Sequence, residues 1–229
     1  MFDNTPVLGR SESAQIATNK VLRNTYALLG LTMIPTVIGA FIGMSLNFAF
    51  AQQHPFIFAI GAIAVMYGLF AAINANRNSS VGVVLLLGLT FLLGLMLGPI
   101  LQHALHLANG GQIVGLAAAG TGIILFSLAS FAATSKKDFS FMSKFLLIGI
   151  ILLIVASLAN IFLQIPAMTL ALSGVGVILF SGFILYDVSR IVNGGETNYI
   201  MATLSLYMSI YNLFTSLLQL LMGLMGSND

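Results

Sequence analysis

Seven long apolar runs, separated by short polar connections, dominate this chain of 229 residues. Each run has about 18 residues or more, the length of helix that crosses the roughly 30 Å hydrocarbon core of a bilayer. Backbone amides and carbonyls inside lipid must bond within their own segment, so runs of this length are predicted to be helices. The predicted spans cover residues 24–50, 56–74, 81–103, 112–133, 143–164, 167–191 and 199–224.

The composition points to the same class of protein. Charged residues make up only 6% of the chain and hydrophobic residues 59%, with a mean hydropathy of +1.04. An ordinary soluble domain needs a charged surface, so this composition excludes one. The sequence therefore predicts an all-α, polytopic membrane protein, a bundle of seven transmembrane helices in contact with the lipid bilayer. No contact with nucleic acid is expected, because membrane topology explains the cations.

The eight lysines and arginines fall in alternate connections between the runs. They are Arg10, Lys20 and Arg23 before the first run, then Arg77, then Lys136, Lys137 and Lys144, and finally Arg190. Because basic residues that flank spans stay in the cytoplasm, the N-terminus is predicted to be cytoplasmic and the C-terminus periplasmic. We expect a mobile cytoplasmic tail at 1–22, a seven-helix transmembrane domain at 23–225 and a short periplasmic tail at 226–229.

Three Gly-x-x-x-Gly pairs lie inside the predicted spans, and such pairs let two helix backbones approach closely. They are Gly39 with Gly43, Gly94 with Gly98, and Gly111 with Gly115. We expect each pair to mark a tight contact between helices.

Residues for catalysis or metal binding are scarce in this sequence. The chain has no cysteine, which removes disulfides, thiolate metal sites and cysteine nucleophiles. His54, His103 and His106 lack the spacing of a metal site, and nucleotide-binding and zinc-protease motifs are missing. We therefore expect no catalytic residue, no metal and no cofactor, and a protein that is not an enzyme.

In the stretch 181–214 a carboxylate, Asp187, lies inside a predicted transmembrane span, and no other predicted span contains an acidic residue. Arg190 lies three residues further on, and Asp187 either pairs with it at the membrane interface or faces the next helix. In the second case Asp187 would be a titratable group that holds the two helices together. In the second arrangement, Arg190 or Arg77 would influence its charge. The next predicted helix, at 199–224 and labelled α7 below, carries a polar stripe, hereafter the α7 stripe, made of Ser205, Ser209, Asn212, Ser216 and Gln219. Steps of four and three place these residues on one helix face, which either lines a water-filled path or bonds to neighbouring helices.

Several stretches resemble the Bax inhibitor family of seven-span membrane proteins. They are GLMLGPIL at 94–101, TSKKDFSFM at 134–142, ANIF at 159–162, FILYDVSRI at 183–191 and LYMSIYNLF at 206–214. Further stretches resemble the bacterial branch of this family that modulates the membrane-anchored ATP-dependent protease FtsH. They are KVLRNTYALLGLT at 20–32, ANIFLQIPA at 159–167 and GGETNYIMATLSLY at 194–207.

The resemblance implies two functions. The FtsH-modulating branch implies a multi-pass protein of the bacterial inner membrane that associates with FtsH and its associated membrane proteins and inhibits degradation of membrane substrates. The wider family implies a pH-sensitive calcium leak, with calcium as the transported ion and two paired aspartates closing a pore. Asp187 matches the first of these aspartates, whereas Ser209 stands where the family has the second. A serine cannot share a proton between carboxylates, which weakens the calcium-leak alternative.

Overall fold

A computed structural model describes residues 7–49, 53–135 and 137–226. It contains seven long helices, and the described residues form no strand. The helices are α1 (Val7–Ser45), α2 (Pro55–Ala75), α3 (Ser80–Leu105), α4 (Gly110–Ser135), α5 (Met142–Leu163), α6 (Pro166–Val192) and α7 (Tyr199–Met225). All seven are long and apolar enough to cross a membrane. The predicted all-α bundle of seven transmembrane helices is therefore confirmed.

The first helix is longer than its predicted span. It begins at Val7, inside the stretch 1–22 that the sequence assigned to a polar tail, while its apolar part runs from Ile16 to Ser45. The helix thus continues beyond the segment that a bilayer needs. The mobility of the tail stays a prediction. Residues 1–6 and 227–229 and Lys136 lie outside the described residues, as does the side chain of Arg10.

Helix α7 lies at the centre of the bundle and packs against α1, α3, α4 and α6. Its side chains Leu206, Tyr207 and Leu213 belong to the main buried cluster, which also includes Leu89 of α3 and Ile184 of α6. By contrast, α2 packs mainly on α3, and α5 mainly on α6. These two helices are peripheral, and most of their apolar side chains face outward.

Helices α1 and α3 form the tightest pair, and four glycines explain why. A Cβ atom built on Gly39 or Gly43 would overlap the backbone of α3 at Phe91 or Leu95. In the same way, a Cβ atom on Gly94 or Gly98 would overlap the backbone of α1. The two backbones touch where these side chains are missing, which is the contact expected of such pairs in membranes.

The third glycine pair behaves differently. A Cβ atom added at Gly111 or Gly115 would meet no atom within 4 Å. The prediction of a tight helix contact at this pair is therefore wrong within the described chain. The motif only makes a close approach possible, and no neighbouring helix lies against this face of α4.

The bundle alternates in direction, so the connections that carry the described cations lie at one end of it. This basic end holds Lys20 and Arg23 of α1, Lys137 after α4, Lys144 at the start of α5 and Arg190 at the end of α6. That the basic end faces the cytoplasm remains a prediction from the positive-inside rule.

Candidate functional site

Asp187 lies in the penultimate turn of α6 and is 4% exposed. It faces α7, where the Ser205 hydroxyl donates to its Oδ1 at 2.7 Å and the Ser209 hydroxyl donates to its Oδ2 at 2.8 Å. Both carboxylate oxygens are thus bonded by hydroxyls one turn apart on the same helix. A buried carboxylate needs such partners, because an unpaired one would cost several kcal/mol.

Neither of the two arginines that the sequence suggested forms an ion pair with Asp187. Arg190 forms an ion pair with Glu196 at 3.3 Å and lies 5.6 Å from the centre of the Tyr186 ring. Arg77 is exposed, and its carbonyl accepts a hydrogen bond from Asn198. Of the two arrangements left open by the sequence, the structure has Asp187 buried against α7 rather than paired with Arg190.

The turn between α6 and α7 fixes this arrangement. Gly194 has φ of +75°, a conformation that favours glycine, and it lets the chain reverse direction. Asn198 then caps α7 by accepting hydrogen bonds from the amides of Ile200 and Met201. Its amide group also donates to the Arg77 carbonyl at 2.9 Å and to Asn78 at 2.8 Å. One side chain therefore starts α7 and links it to the α2–α3 turn.

The α7 stripe borders a crevice formed with α5 and α6. Next to Ser205 and Ser209 lies a cavity of about 300 Å³, and Asn212 joins it to a second of about 550 Å³. Gln219 lines both this second cavity and a third of about 380 Å³ at the far end of the bundle. The structure thus brings all five stripe residues to one continuous crevice that begins beside the bonded Asp187.

Three residues that sequence reasoning missed complete the crevice on α5 and α6, namely Ser157, Thr169 and Ser173. Ser173 of α6 donates to Gln219 at 3.2 Å, and Asn160 of α5 donates to Thr169 of α6 at 2.7 Å. Ser157 lines the same crevice. A signal existed, because Thr169 and Ser173 are four residues apart and share one face of α6, as the stripe residues do on α7.

Ser189 was also missed, although it lies only two residues after Asp187. It is buried, and its hydroxyl donates to the Lys137 carbonyl and accepts from the Phe139 amide, both at 3.1 Å. This holds the α4–α5 loop against the end of α6. In that loop, the hydroxyl and the amide of Ser140 both donate to Asp138 and hold the pKa of its exposed carboxyl below the ordinary value.

Metal ligands do not gather anywhere in the part of the chain that the structure describes. No group of three or more His, Asp or Glu side chains is arranged there to hold one ion. What the site offers is one buried carboxylate held by two serines, at the end of a crevice lined with hydroxyl and amide groups.

Comparison with known proteins gives consistent results. A family model described as inhibitor of apoptosis-promoting Bax1 matches residues 18–227. The chain is similar to a membrane protein of Vibrio cholerae serotype O1, with 43% identity over 228 residues that cover 99% of this chain and all of the relative. It is also similar to the modulator of FtsH protease YccA from Escherichia coli K12, with 40% identity over 206 residues that cover 90% of this chain and 91% of the relative.

A second YccA, from Escherichia coli O6:H1, has the same identity and coverage and is named an inner membrane protein. These names and the seven apolar helices establish a multi-pass protein of the bacterial inner membrane. Because the family model covers nearly all of the described helices, the chain belongs to the Bax inhibitor family, as its sequence motifs predict.

Proposed function

We propose that this protein is an inner-membrane modulator of FtsH that associates with the protease and restrains its degradation of membrane proteins. The observation that carries the proposal is the 40% identity to YccA, a modulator of FtsH protease, over 206 residues. In this role the protein is a regulator rather than an enzyme, and its partners are FtsH and the membrane proteins associated with FtsH.

Two structural features support association within and beside the membrane. The peripheral helices α2 and α5 present large apolar side chains along their outer faces, among them Ile60, Tyr67, Phe145 and Leu152. Helix α1 also extends from Ile16 back to Val7, before its apolar span. An extension on the cytoplasmic side would lie where the ATPase domain of a membrane-anchored protease can reach it.

The experiment has two readouts, co-purification with FtsH in detergent and the lifetime of a model membrane substrate in cells. We expect the protein to co-purify with FtsH and to lengthen the substrate lifetime. Cells with an ATPase-inactive FtsH serve as a control, because the protein should have no effect on lifetime there. Unchanged lifetime together with no co-purification would reject the proposal.

A truncated variant that lacks residues 1–15 tests the contribution of the α1 extension. A matched control replaces the same residues with a Gly/Ser segment of equal length. If the extension is a contact for the protease, both variants should weaken co-purification while the membrane domain stays folded. If only the truncation has an effect, tail length rather than sequence matters, as expected of a segment that the ATPase seizes.

The crevice beside α7 favours a second candidate function, an ion leak with Asp187 at one end of the path. The hydroxyl and amide groups that line the crevice can replace part of the hydration of a cation, as polar groups do in pores. In this chain two serines bond Asp187. The resemblance in sequence implies that one of them, Ser209, stands where the family has its second aspartate. A carboxylate at position 209 would lie directly beside Asp187.

Reconstitution into dye-loaded liposomes tests this candidate. We expect Ser209→Asp to create a calcium flux that depends on pH, because two adjacent carboxylates titrate as a coupled pair. Ser216→Asp is the matched control, since it adds a carboxylate to the same crevice two turns from position 209. Equal and negligible flux in the wild-type protein, Asp187→Asn and Ser209→Asp would exclude the leak.

A further inference from the structure

A long cleft separates α1 from α4, on the side of the bundle opposite the polar crevice. Its floor is α7, and the two walls do not pack against each other along their lengths. One part of the cleft has a volume of about 440 Å³ and the other about 560 Å³. Both parts are lined by Met33, Ala118, Thr121 and Ile210, so they form one continuous space. Nothing in the α7 stripe or the Asp187 contacts uses this space.

The cleft is apolar and opens sideways. Phe41 and Phe126 line it and are 65% and 69% exposed. On α4 the wall is made of small residues such as Ala118 and Gly122, and a Cβ atom on Gly122 would meet nothing within 4 Å. Because the opening lies within the apolar span of the bundle, it faces hydrocarbon rather than water.

The size of the cleft fits a chain of methylene groups better than a helix. A water molecule takes about 30 Å³ in the liquid and a methylene group has a similar volume, so the 440 Å³ part holds roughly fifteen of them. A helix of about 10–12 Å diameter and 5.4 Å pitch fills roughly 420–610 Å³ per turn. Both parts together would therefore hold only about two turns of a partner helix, far fewer than the roughly 20 residues that a spanning helix needs.

The end of the cleft at the basic end of the bundle carries exposed positive charge. Tyr26 lines the cleft there, and Arg23 lies one turn before it on the same face of α1. Arg23 and Lys20 are exposed. Among the carboxylates whose side chains the structure describes, Asp187 bonds to α7, Glu196 pairs with Arg190 and Asp138 accepts hydrogen bonds from Ser140, so none of them pairs with Arg23 or Lys20.

We propose that the cleft between α1 and α4 binds an anionic phospholipid, with one acyl chain in the apolar space and the phosphate at Arg23. The shape and apolarity of the space select the chain, and the basic side chains at its end select a negative headgroup. Ala118 lies at the junction of the two parts and determines whether a chain can pass. This inference does not depend on the proposed action on FtsH.

Native mass spectrometry of the full-length protein in a mild detergent tests the proposal, with phosphatidylglycerol and phosphatidylcholine of identical acyl chains as probes. Because each basic residue attracts an anionic headgroup, we expect phosphatidylglycerol to be retained about tenfold better. Ala118→Phe should abolish retention of both lipids, whereas Ala119→Phe, an exposed neighbour outside the cleft lining, should not. Arg23→Gln should remove the preference for phosphatidylglycerol, and Lys144→Gln, an exposed cation on α5 at the same end, should leave it unchanged.

Three results would overturn the proposal. Equal retention of the two lipids by the wild-type protein would show that no headgroup is recognised. Equal loss after Arg23→Gln and Lys144→Gln would assign the preference to general surface charge. If Ala118→Phe left lipid retention intact but abolished a dimer peak or co-purification of a membrane protein, the occupant would be a protein helix instead.

Discussion

Two glycine pairs that look alike in the sequence should respond in opposite ways to a single methyl group. We compare Gly94→Ala in α3 with Gly115→Ala in α4. A Cβ atom at Gly94 would lie 2.9 Å from the carbonyl carbon of Thr36 and 3.0 Å from its Cα, and closer still to its oxygen. At Gly115 the same atom would meet nothing within 4 Å.

The magnitude follows from the distances. Ordinary contact begins at about 3.4 Å, so α1 must move away from Gly94 by at least about half an ångström. Overpacking of this kind costs about 1–3 kcal/mol, while alanine favours the helical state over glycine by up to about 1 kcal/mol. We expect Gly94→Ala to lower the free energy of unfolding by about 1–2 kcal/mol, and Gly115→Ala to leave it unchanged or raise it slightly.

The absence of cysteine from the chain makes a thiol-reactive dye a clean assay. Ala132→Cys, fully buried in the core, serves as the reporter in both variants and reacts only on unfolding. A difference of about 2 kcal/mol corresponds to roughly 4–8 °C in Tm for a chain of this size. If Gly94→Ala and Gly115→Ala melted at the same temperature, the α1–α3 backbone contact would not limit stability, and the reasoning would be refuted.

Three further changes test the central helix. Ser209→Ala should lower the free energy of unfolding by about 1–2 kcal/mol, because Asp187 loses one of its two hydroxyl donors. Ser216 does not contact Asp187, so Ser216→Ala should lower it clearly less. Asn198→Ala should cost about 1 kcal/mol or more through loss of the α7 cap, measured in the same dye assay, and glycine at 198 should restore part of it. Tyr207→Phe should cost about 0.5–1.5 kcal/mol, because the Thr36 hydroxyl loses a partner at 2.7 Å; no change would mean that water replaces this bond.

The number and bounds of the helices could be read from the sequence, because a single segment in lipid can satisfy its backbone hydrogen bonds only as a helix. Apart from the first, every predicted span agrees with an observed helix to within about two residues, for example 167–191 against Pro166–Val192; the first helix begins at Val7 and ends at Ser45 rather than covering 24–50. The glycine pairs, by contrast, did not predict on their own which helices touch. Gly39 and Gly43 meet the backbone of α3, but Gly111 and Gly115 meet nothing, because a contact needs a partner helix that the motif does not specify.

The candidate site was only partly visible in the sequence. The period of the α7 stripe placed Ser205 and Ser209 on one face, but not which helix that face meets. Asp187 had Arg190 within reach along its own helix, yet it bonds to α7, while Arg190 is taken up by Glu196 across the turn. Ser173 could be recognised as a crevice residue only once α6 and α7 were in place.

By itself, the sequence determined the membrane class, the seven helices and the family. These depend on hydrophobic length and on local motifs, which act within one segment. Tertiary structure decided that α7 lies at the centre, that Asp187 is held by two of its hydroxyls, and that α1 and α4 stand apart to leave an apolar cleft. Such features depend on which helix faces meet. Because lipid provides no hydrophobic force between helices, the pairing of faces depends on close packing and on polar contacts between segments distant in sequence.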